Sequence, residues 1–166
     1  MRDVTELLNW VLLAYRLPRE PSTPRITVWR KLRRLGAAQI VDGLVALPAD
    51  ARTKEQLEWL ADEVIEAGGE AIIWLGQLGS ASDERHLTTR MADVIRAEYD
   101  EVIADAAAAV RDPPSVRRRT AARLQRQLAR IERRDFFPSP DRDRARRVAE
   151  DLSRVTEDSR VTEEVP

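Results

Sequence analysis

The 166-residue sequence has no cysteine and a single histidine, His86. The lack of cysteine excludes disulfides, thiolate metal sites and cysteine nucleophiles, and one histidine is too few for a histidine-based metal centre or a catalytic triad. His86 stands in "DERHL", near the start of a predicted helix, where a solvated or helix-capping role is expected. We therefore predict no metal site and no cofactor.

Long apolar runs are also missing. No stretch reaches the roughly 18 to 20 apolar residues that a membrane span needs. The segment "LLNWVLLAY" is short, follows Asp3 and Glu6, and lacks a small-residue cleavage site. We expect a cytoplasmic protein that does not contact a membrane. Its 43 % apolar composition is enough for one core, with an appended helical part.

Up to residue 78, short apolar segments alternate with helical patterns. Strands are predicted at 8–15, on both sides of the turn Asp42-Gly43, and at "EAIIWL". One predicted helix has Pro24 in its first turn and ends at Gly36, and a second begins at a capping box formed by Thr53 and Gln56. The order β-α-β-β-α-β predicts an α+β fold with a ferredoxin-like, four-stranded antiparallel sheet over residues 7–78. The tryptophans are expected to pack in its core, at positions Trp10, Trp29, Trp59 and Trp74.

A composition break at "GQLGSASD" separates this part from a purely helical pattern. We predict an all-helical extension of about three helices over residues 83–157. Residues 158–166 are expected to form a disordered tail, because they are polar and charged with few apolar residues.

Basic residues concentrate between Arg16 and Arg34, where seven basic side chains accompany one acid, Glu20. The loop and helix-start arginines are candidates for binding a tetrahedral oxyanion or phosphate through forked hydrogen bonds: Arg16, Arg19 and Arg25. The helical residues are candidates for contacting a DNA backbone, with three opposite the core and Arg33 beside it: Arg30, Lys31, Arg33 and Arg34. The alternative is that this is only a solvated helix surface.

A second basic region covers residues 115–134, with eight arginines and one acid. Five of them form an alternative basic stripe opposite the apolar positions: Arg119, Arg123, Arg126, Arg130 and Arg133. Residues 83–112 carry eight acids and four arginines. Antiparallel helices joined at Pro113-Pro114 would bring these opposite charges together, so intramolecular pairing is the competing interpretation.

Several segments, in this order and at this spacing, resemble the ChrB N-terminal domain family, whose regulators are linked to bacterial chromate resistance. They are "LPREPSTPRITVWRKLRRLGA", "LPA", "EQLEWLADEVIEAGGEA" and "RRDFF", and the similarity covers roughly residues 8–152. The resemblance implies a ferredoxin-like core related to the central domain of PaaX-type repressors. It also implies a role in chromate-responsive transcription control.

The resemblance leads to the hypothesis of a non-enzymatic, DNA-binding regulator with chromate or sulfate as effector. ChrB proteins commonly continue into a C-terminal domain that is absent from these 166 residues, so the sequence is either a stand-alone relative, with a separate protein carrying that domain as one candidate partner, or a fragment of a longer regulator. A homodimer is also expected. Ferredoxin-like nucleases place an acid at the end of the first strand, where this chain has Tyr15-Arg16, so no metal-dependent cleavage is expected. The alternative is a structural or partner-binding dimer module without DNA binding.

Overall fold

The computed structural model describes the backbone of residues 7–163 and the side chains of residues 7–154. The chain forms two compact units, of which the first ends at Met91 and the second begins at Ala92. The division lies within a helix, whereas the sequence predicts a boundary at the composition break. The elements, in chain order, are β1 (Trp10–Arg16), α1 (Thr23–Leu35), β2 (Ala38–Val41), β3 (Leu44–Pro48), α2 (Ala51–Glu66), β4 (Glu70–Gly76), α3 (Ala81–Ala109), α4 (Pro114–Glu132) and α5 (Pro140–Glu163).

The first unit contains a four-stranded sheet in the order β2-β3-β1-β4. All three neighbouring pairs are antiparallel, and Leu13 in β1 lies opposite Val45 in β3 and Ile73 in β4. The predicted α+β class and four-stranded antiparallel sheet are therefore confirmed. Helix α2 packs against β1 and β4 and contacts α1. Its buried stripe is Leu57, Leu60, Ala61 and Val64.

The turn between β2 and β3 requires glycine. Gly43 has a φ of 77°, a left-handed conformation that side chains other than glycine rarely adopt. A Cβ at this position would also lie 2.5 Å from the carbonyl oxygen of Tyr15, whose backbone N–H donates to the Gly43 oxygen. The Asp42-Gly43 dipeptide thus sets both the hairpin and its contact with β1.

The start of α2 differs from the prediction. The N-cap is Asp50, whose side chain accepts a hydrogen bond from the Thr53 N–H at 2.7 Å, while the Thr53 hydroxyl accepts one from the Asp50 N–H at 3.0 Å. The capping box predicted for Thr53 and Gln56 is wrong, because Thr53 occupies the N3 position of a helix that starts two residues earlier.

The tryptophans do not all pack in the core. Trp10 is fully buried, and its indole N–H lies 3.4 Å from the carboxylate of Glu84 in the first turns of α3. Trp29, Trp59 and Trp74 are 49 %, 62 % and 58 % exposed. The expectation of core packing is therefore wrong for these three residues.

The second unit consists of helices, namely the part of α3 after Ala92, α4 and α5. Its core includes Tyr99, Leu124 and Ile131, all of which are at most 1 % exposed. Helix α5 continues to Glu163, so residues 158–163 of the predicted disordered tail are helical, and residues 164–166 lie outside the described residues. Between residues 7 and 163, no helix combines the length and apolar character needed to cross a membrane.

Candidate nucleic-acid interface

The most continuous basic surface lies on α4. This helix begins after Pro113, and its four buried residues, Ala121, Leu124, Leu128 and Ile131, define the side that packs into the core. The five arginines of the alternative basic stripe follow one another at alternating spacings of four and three residues, which places them on the opposite side of the helix. All five are exposed: Arg119, Arg123, Arg126, Arg130 and Arg133. We call these five residues the α4 stripe.

Most of this stripe is not neutralised by the acids of α3. Arg123 donates to Asp105 at 2.9 Å, which is a pair of the kind expected for antiparallel helices. Arg119, Arg126 and Arg130 form no ion pair within the part of the chain whose side chains are described. Intramolecular pairing therefore accounts for only part of the charge on α4. A helix of 19 residues is about 28 Å long, so the exposed arginines extend over several phosphate spacings of a nucleic acid.

The basic residues of α1 have a different environment. Arg30, Arg33 and Arg34 are exposed, and the guanidinium of Arg33 lies 5.1 Å from the centre of the Trp29 ring. Lys31, however, is half-buried and donates to both carboxylate oxygens of Glu63 on α2, at 2.5 and 2.6 Å. The sequence placed Lys31 opposite the core, but in the fold it faces the neighbouring helix.

Helix α2 brings negative charge close to these arginines. It carries five acids and two basic residues, whereas α1 carries five basic residues and no acid. A nucleic-acid backbone on α1 would therefore pass close to an acidic helix, which repels phosphates. This arrangement favours the α4 stripe over α1 as the nucleic-acid surface.

Of the three predicted oxyanion ligands, Arg16 lines a cleft that Arg19 and Arg25 do not line. Arg16 donates to Glu70 at 3.0 Å, because these residues lie opposite each other in the β1–β4 register. Both line a cleft of about 260 Å³, together with Leu17, Pro18, Gly68 and Gly69. The Gly68 and Gly69 amides already donate to backbone carbonyls. Arg19 and Arg25 are exposed and do not line this cleft. An acid beside Arg16 opposes anion binding there, so the oxyanion role remains a prediction.

The end of α4 is held by a polar network that sequence reasoning missed. Arg134 forms a two-bond ion pair with Glu98 on α3, and the Tyr99 hydroxyl donates to Asp135 at 2.8 Å. Arg146 on α5 donates to Glu132. Two of these residues, Arg134 and Asp135, belong to the "RRDFF" segment. That segment was the signal in the sequence from which the network could have been inferred. These contacts fix the C-terminal end of α4 and hence the position of its stripe.

The Glu132 contact predicts a pH dependence. The hydrogen bond from Arg146 holds the pKa of Glu132 below its ordinary value of 4.5. Because the folded-state pKa is the lower one, this pairing stabilises the protein above the ordinary value and the stabilisation is lost as the pH falls through the folded-state value. We expect Glu132→Gln to reduce the difference in urea midpoint between neutral and acidic pH. The control is Glu150→Gln, at an exposed α5 position with no ion pair within the described side chains. An unchanged pH dependence in the Glu132 variant would contradict this assignment.

The described side chains include no grouping of three His, Asp or Glu residues suited to holding a metal ion. Strand β1 ends at Arg16, one residue beyond the predicted strand, so a cation stands where ferredoxin-like nucleases have an acid. His86 is exposed on α3. The arrangement thus presents arginine surfaces without a metal-binding grouping among the described side chains.

Comparison with known proteins identifies the family. The model of the family described as "Protein ChrB, N-terminal" matches residues 25–111, which is more than half of the 166 residues. Protein ChrB of Cupriavidus metallidurans is 29 % identical over 134 residues, which cover 78 % of this chain and 41 % of that protein. The chain thus spans about two fifths of the length of this relative, and no solved structure matches it. The protein belongs to the ChrB N-terminal domain family.

Proposed function

We propose that this protein is a non-enzymatic, DNA-binding regulator of chromate resistance, and that it contacts DNA phosphates through the α4 stripe. The observation that carries the proposal is the exposed row of arginines on α4, of which Arg119, Arg126 and Arg130 have no ion pair among the described side chains. Guanidinium groups bind phosphate oxygens through forked hydrogen bonds. Family membership supports the link to chromate resistance.

The strand order supports a ferredoxin-like assignment for the first unit. The element order β-α-β-β-α-β with β1 and β3 in the centre of an all-antiparallel sheet is the arrangement expected for that fold. We assign no base-reading residues to the α4 stripe, because arginine contacts to phosphates position a protein on DNA without reading its sequence. Chromate or sulfate as effector and a cytoplasmic location remain part of the proposal.

The test compares two triple variants that remove the same charge. Arg119→Ala/Arg126→Ala/Arg130→Ala removes contacts from the α4 stripe, and Arg30→Ala/Arg33→Ala/Arg34→Ala is the control on α1. Binding to a fluorescently labelled duplex is measured by anisotropy over a salt series. The α4 variant should bind more weakly for every sequence, with a log–log salt slope shallower by up to about 0.9 per lost contact, or roughly 2.7 in total. The control should keep most of the wild-type slope.

Two other results would contradict the proposal. If only the α1 variant loses affinity and shows the shallower salt slope, the DNA site lies on α1, as the sequence first suggested. If wild-type protein binds no duplex at near-physiological salt, with or without chromate, the DNA-binding proposal is wrong and the partner-binding alternative takes its place. Circular dichroism on both variants checks that they are folded, since substitutions of exposed residues usually change stability by less than about 0.5 kcal/mol.

A further inference from the structure

Helices α1 and α2 of the first unit form one layer with opposite charges on its two halves. The exposed basic residues of α1 are Arg25, Arg30, Arg33 and Arg34. The exposed acids of α2 are Glu55, Glu58, Asp62 and Glu66, and they outnumber its exposed basic residues, Arg52 and Lys54, of which Lys54 pairs with Glu58. The helices contact each other, and the Lys31–Glu63 ion pair joins them. The layer therefore presents a positive half and a negative half side by side.

Each half also exposes large apolar side chains. On α1, Ile26 is 46 % and Trp29 is 49 % exposed, and on α2, Trp59 is 62 % and Ile65 is 54 % exposed. Between the helices lies a cleft of about 250 Å³, lined by Arg34, Leu35, Trp59 and Leu60 together with the Lys31–Glu63 pair. Tryptophan and arginine are the residues most enriched where protein partners bind. The exposed apolar groups give the layer the composition of an interface rather than of a purely solvated surface.

We infer that this layer is a symmetric interface between two copies of the chain, in which α1 of each copy lies on α2 of the other. A two-fold dimer needs a surface that complements itself. If one residue of the first copy contacts a second residue of its partner, then that second residue of the first copy contacts the first residue of the partner. Juxtaposed positive and negative helices satisfy this condition when one copy is turned by a half-rotation about the line between them. Arginines of one copy then face the acids of its partner, twice.

Charge complementarity argues for a second copy rather than for another partner. An acidic protein or a nucleic acid would be attracted by α1 and repelled by α2. A basic partner would be repelled by α1 and attracted by α2. Only a surface with the same division of charge matches both halves. The interface lies in the first unit and does not use the α4 stripe, so it is independent of the proposed DNA contacts.

The size of the layer limits the expected affinity of the dimer. Helices of 13 and 16 residues are about 20 and 24 Å long, and packed helices lie about 8 to 10 Å apart. Such a patch is at the low end of the areas buried in specific complexes. We therefore expect a reversible dimer whose Kd rises with salt, because exposed charges are screened.

The test uses charge reversal on one helix at a time. Arg30→Glu/Arg33→Glu/Arg34→Glu makes both halves of the layer negative, and Glu55→Arg/Asp62→Arg/Glu66→Arg makes both halves positive. The Lys31–Glu63 pair is intact in both variants, so the packing of α1 on α2 is retained. In sedimentation velocity over a concentration series at low salt, each variant alone should dimerise at least about tenfold more weakly than wild type, since like charges face each other across the interface.

Mixing the two variants gives the decisive result. The negative layer of one variant complements the positive layer of the other, so an equimolar mixture should form a heterodimer with close to wild-type affinity. The control Arg144→Glu/Arg147→Glu/Arg154→Glu makes the same charge change as the α1 variant, at exposed positions on α5, and should dimerise as wild type does. The inference is overturned if wild type stays monomeric at low salt, if the variants dimerise as well as wild type, or if the mixture does not recover. Circular dichroism on each variant confirms folding before these results are compared.

Discussion

Replacing Trp10 by alanine is expected to lower the free energy of unfolding of the first unit by about 3 to 5 kcal/mol. Trp10 is fully buried, and its strand pairs with both β3 and β4, so the space left by the indole cannot be filled by the movement of one element. The substitution also removes the indole N–H that lies beside the Glu84 carboxylate. Urea unfolding followed by circular dichroism measures the loss.

Trp74→Ala is the matched control for this prediction. Trp74 lies in the same sheet and is the same residue type, but it is 58 % exposed on an edge strand. We expect its replacement to change the free energy of unfolding by less than about 1 kcal/mol. If the two substitutions lower the free energy of unfolding by the same amount, the indole environments assigned to these residues are incorrect.

The contrast between these tryptophans shows that the sequence predicts the strands and turns but not which tryptophans are buried. Periodicity and turn residues predicted the four strands and the hairpin at Asp42-Gly43, because those signals are local. Exposure of Trp74 depends on β4 being at the edge of the sheet, which strand order decides and hydropathy does not. Trp59 lies between Leu57 and Leu60 in sequence, but the helix turns it away from the buried stripe.

The candidate site was predictable to a similar extent. The spacing of the α4 arginines, read from the sequence, places them on one face, and the structure shows that face to be exposed. The environment of the other arginines depends on contacts between distant segments. Glu70 reaches Arg16 through the strand register, and Glu63 reaches Lys31 through the packing of α2 beside α1. Neither partner follows from the local sequence, which is why the α1 and loop clusters looked more available than they are.

The residues of the "RRDFF" segment illustrate the same point for the second unit. Arg134 and Asp135 bind Glu98 and Tyr99, which precede them by 36 positions. Because Glu98 and Tyr99 are adjacent on α3, the segment binds the end of α4 to a single turn of that helix. These contacts give Arg134 and Asp135 a structural role in holding the end of α4.

Replacing Tyr99 by alanine should accordingly destabilise the second unit by about 3 to 5 kcal/mol, whereas Tyr99→Phe should cost about 1 to 2 kcal/mol. The ring is fully buried in the helical core, and alanine removes both this packing and the hydroxyl bond to Asp135, while phenylalanine removes the bond alone. All four tryptophans precede Met91, so tryptophan fluorescence follows the first unit, and a transition seen by circular dichroism without a fluorescence change is that of the second unit.

The alkaline behaviour of Tyr99→Phe separates the hydroxyl bond from simple loss of volume. Burial, followed by the bond to Asp135, raises the pKa of Tyr99 above its ordinary value of 10.0. The folded protein therefore retains this proton while the unfolded chain loses it, and the associated stability is complete below pH 10 and declines as the pH rises further. Wild-type protein should lose more stability than Tyr99→Phe between pH 9 and pH 11, two values chosen to lie on either side of the ordinary pKa of about 10. Equal losses, measured as urea midpoints by circular dichroism, would show that the Tyr99 hydroxyl ionises as freely in the folded state as in the unfolded chain.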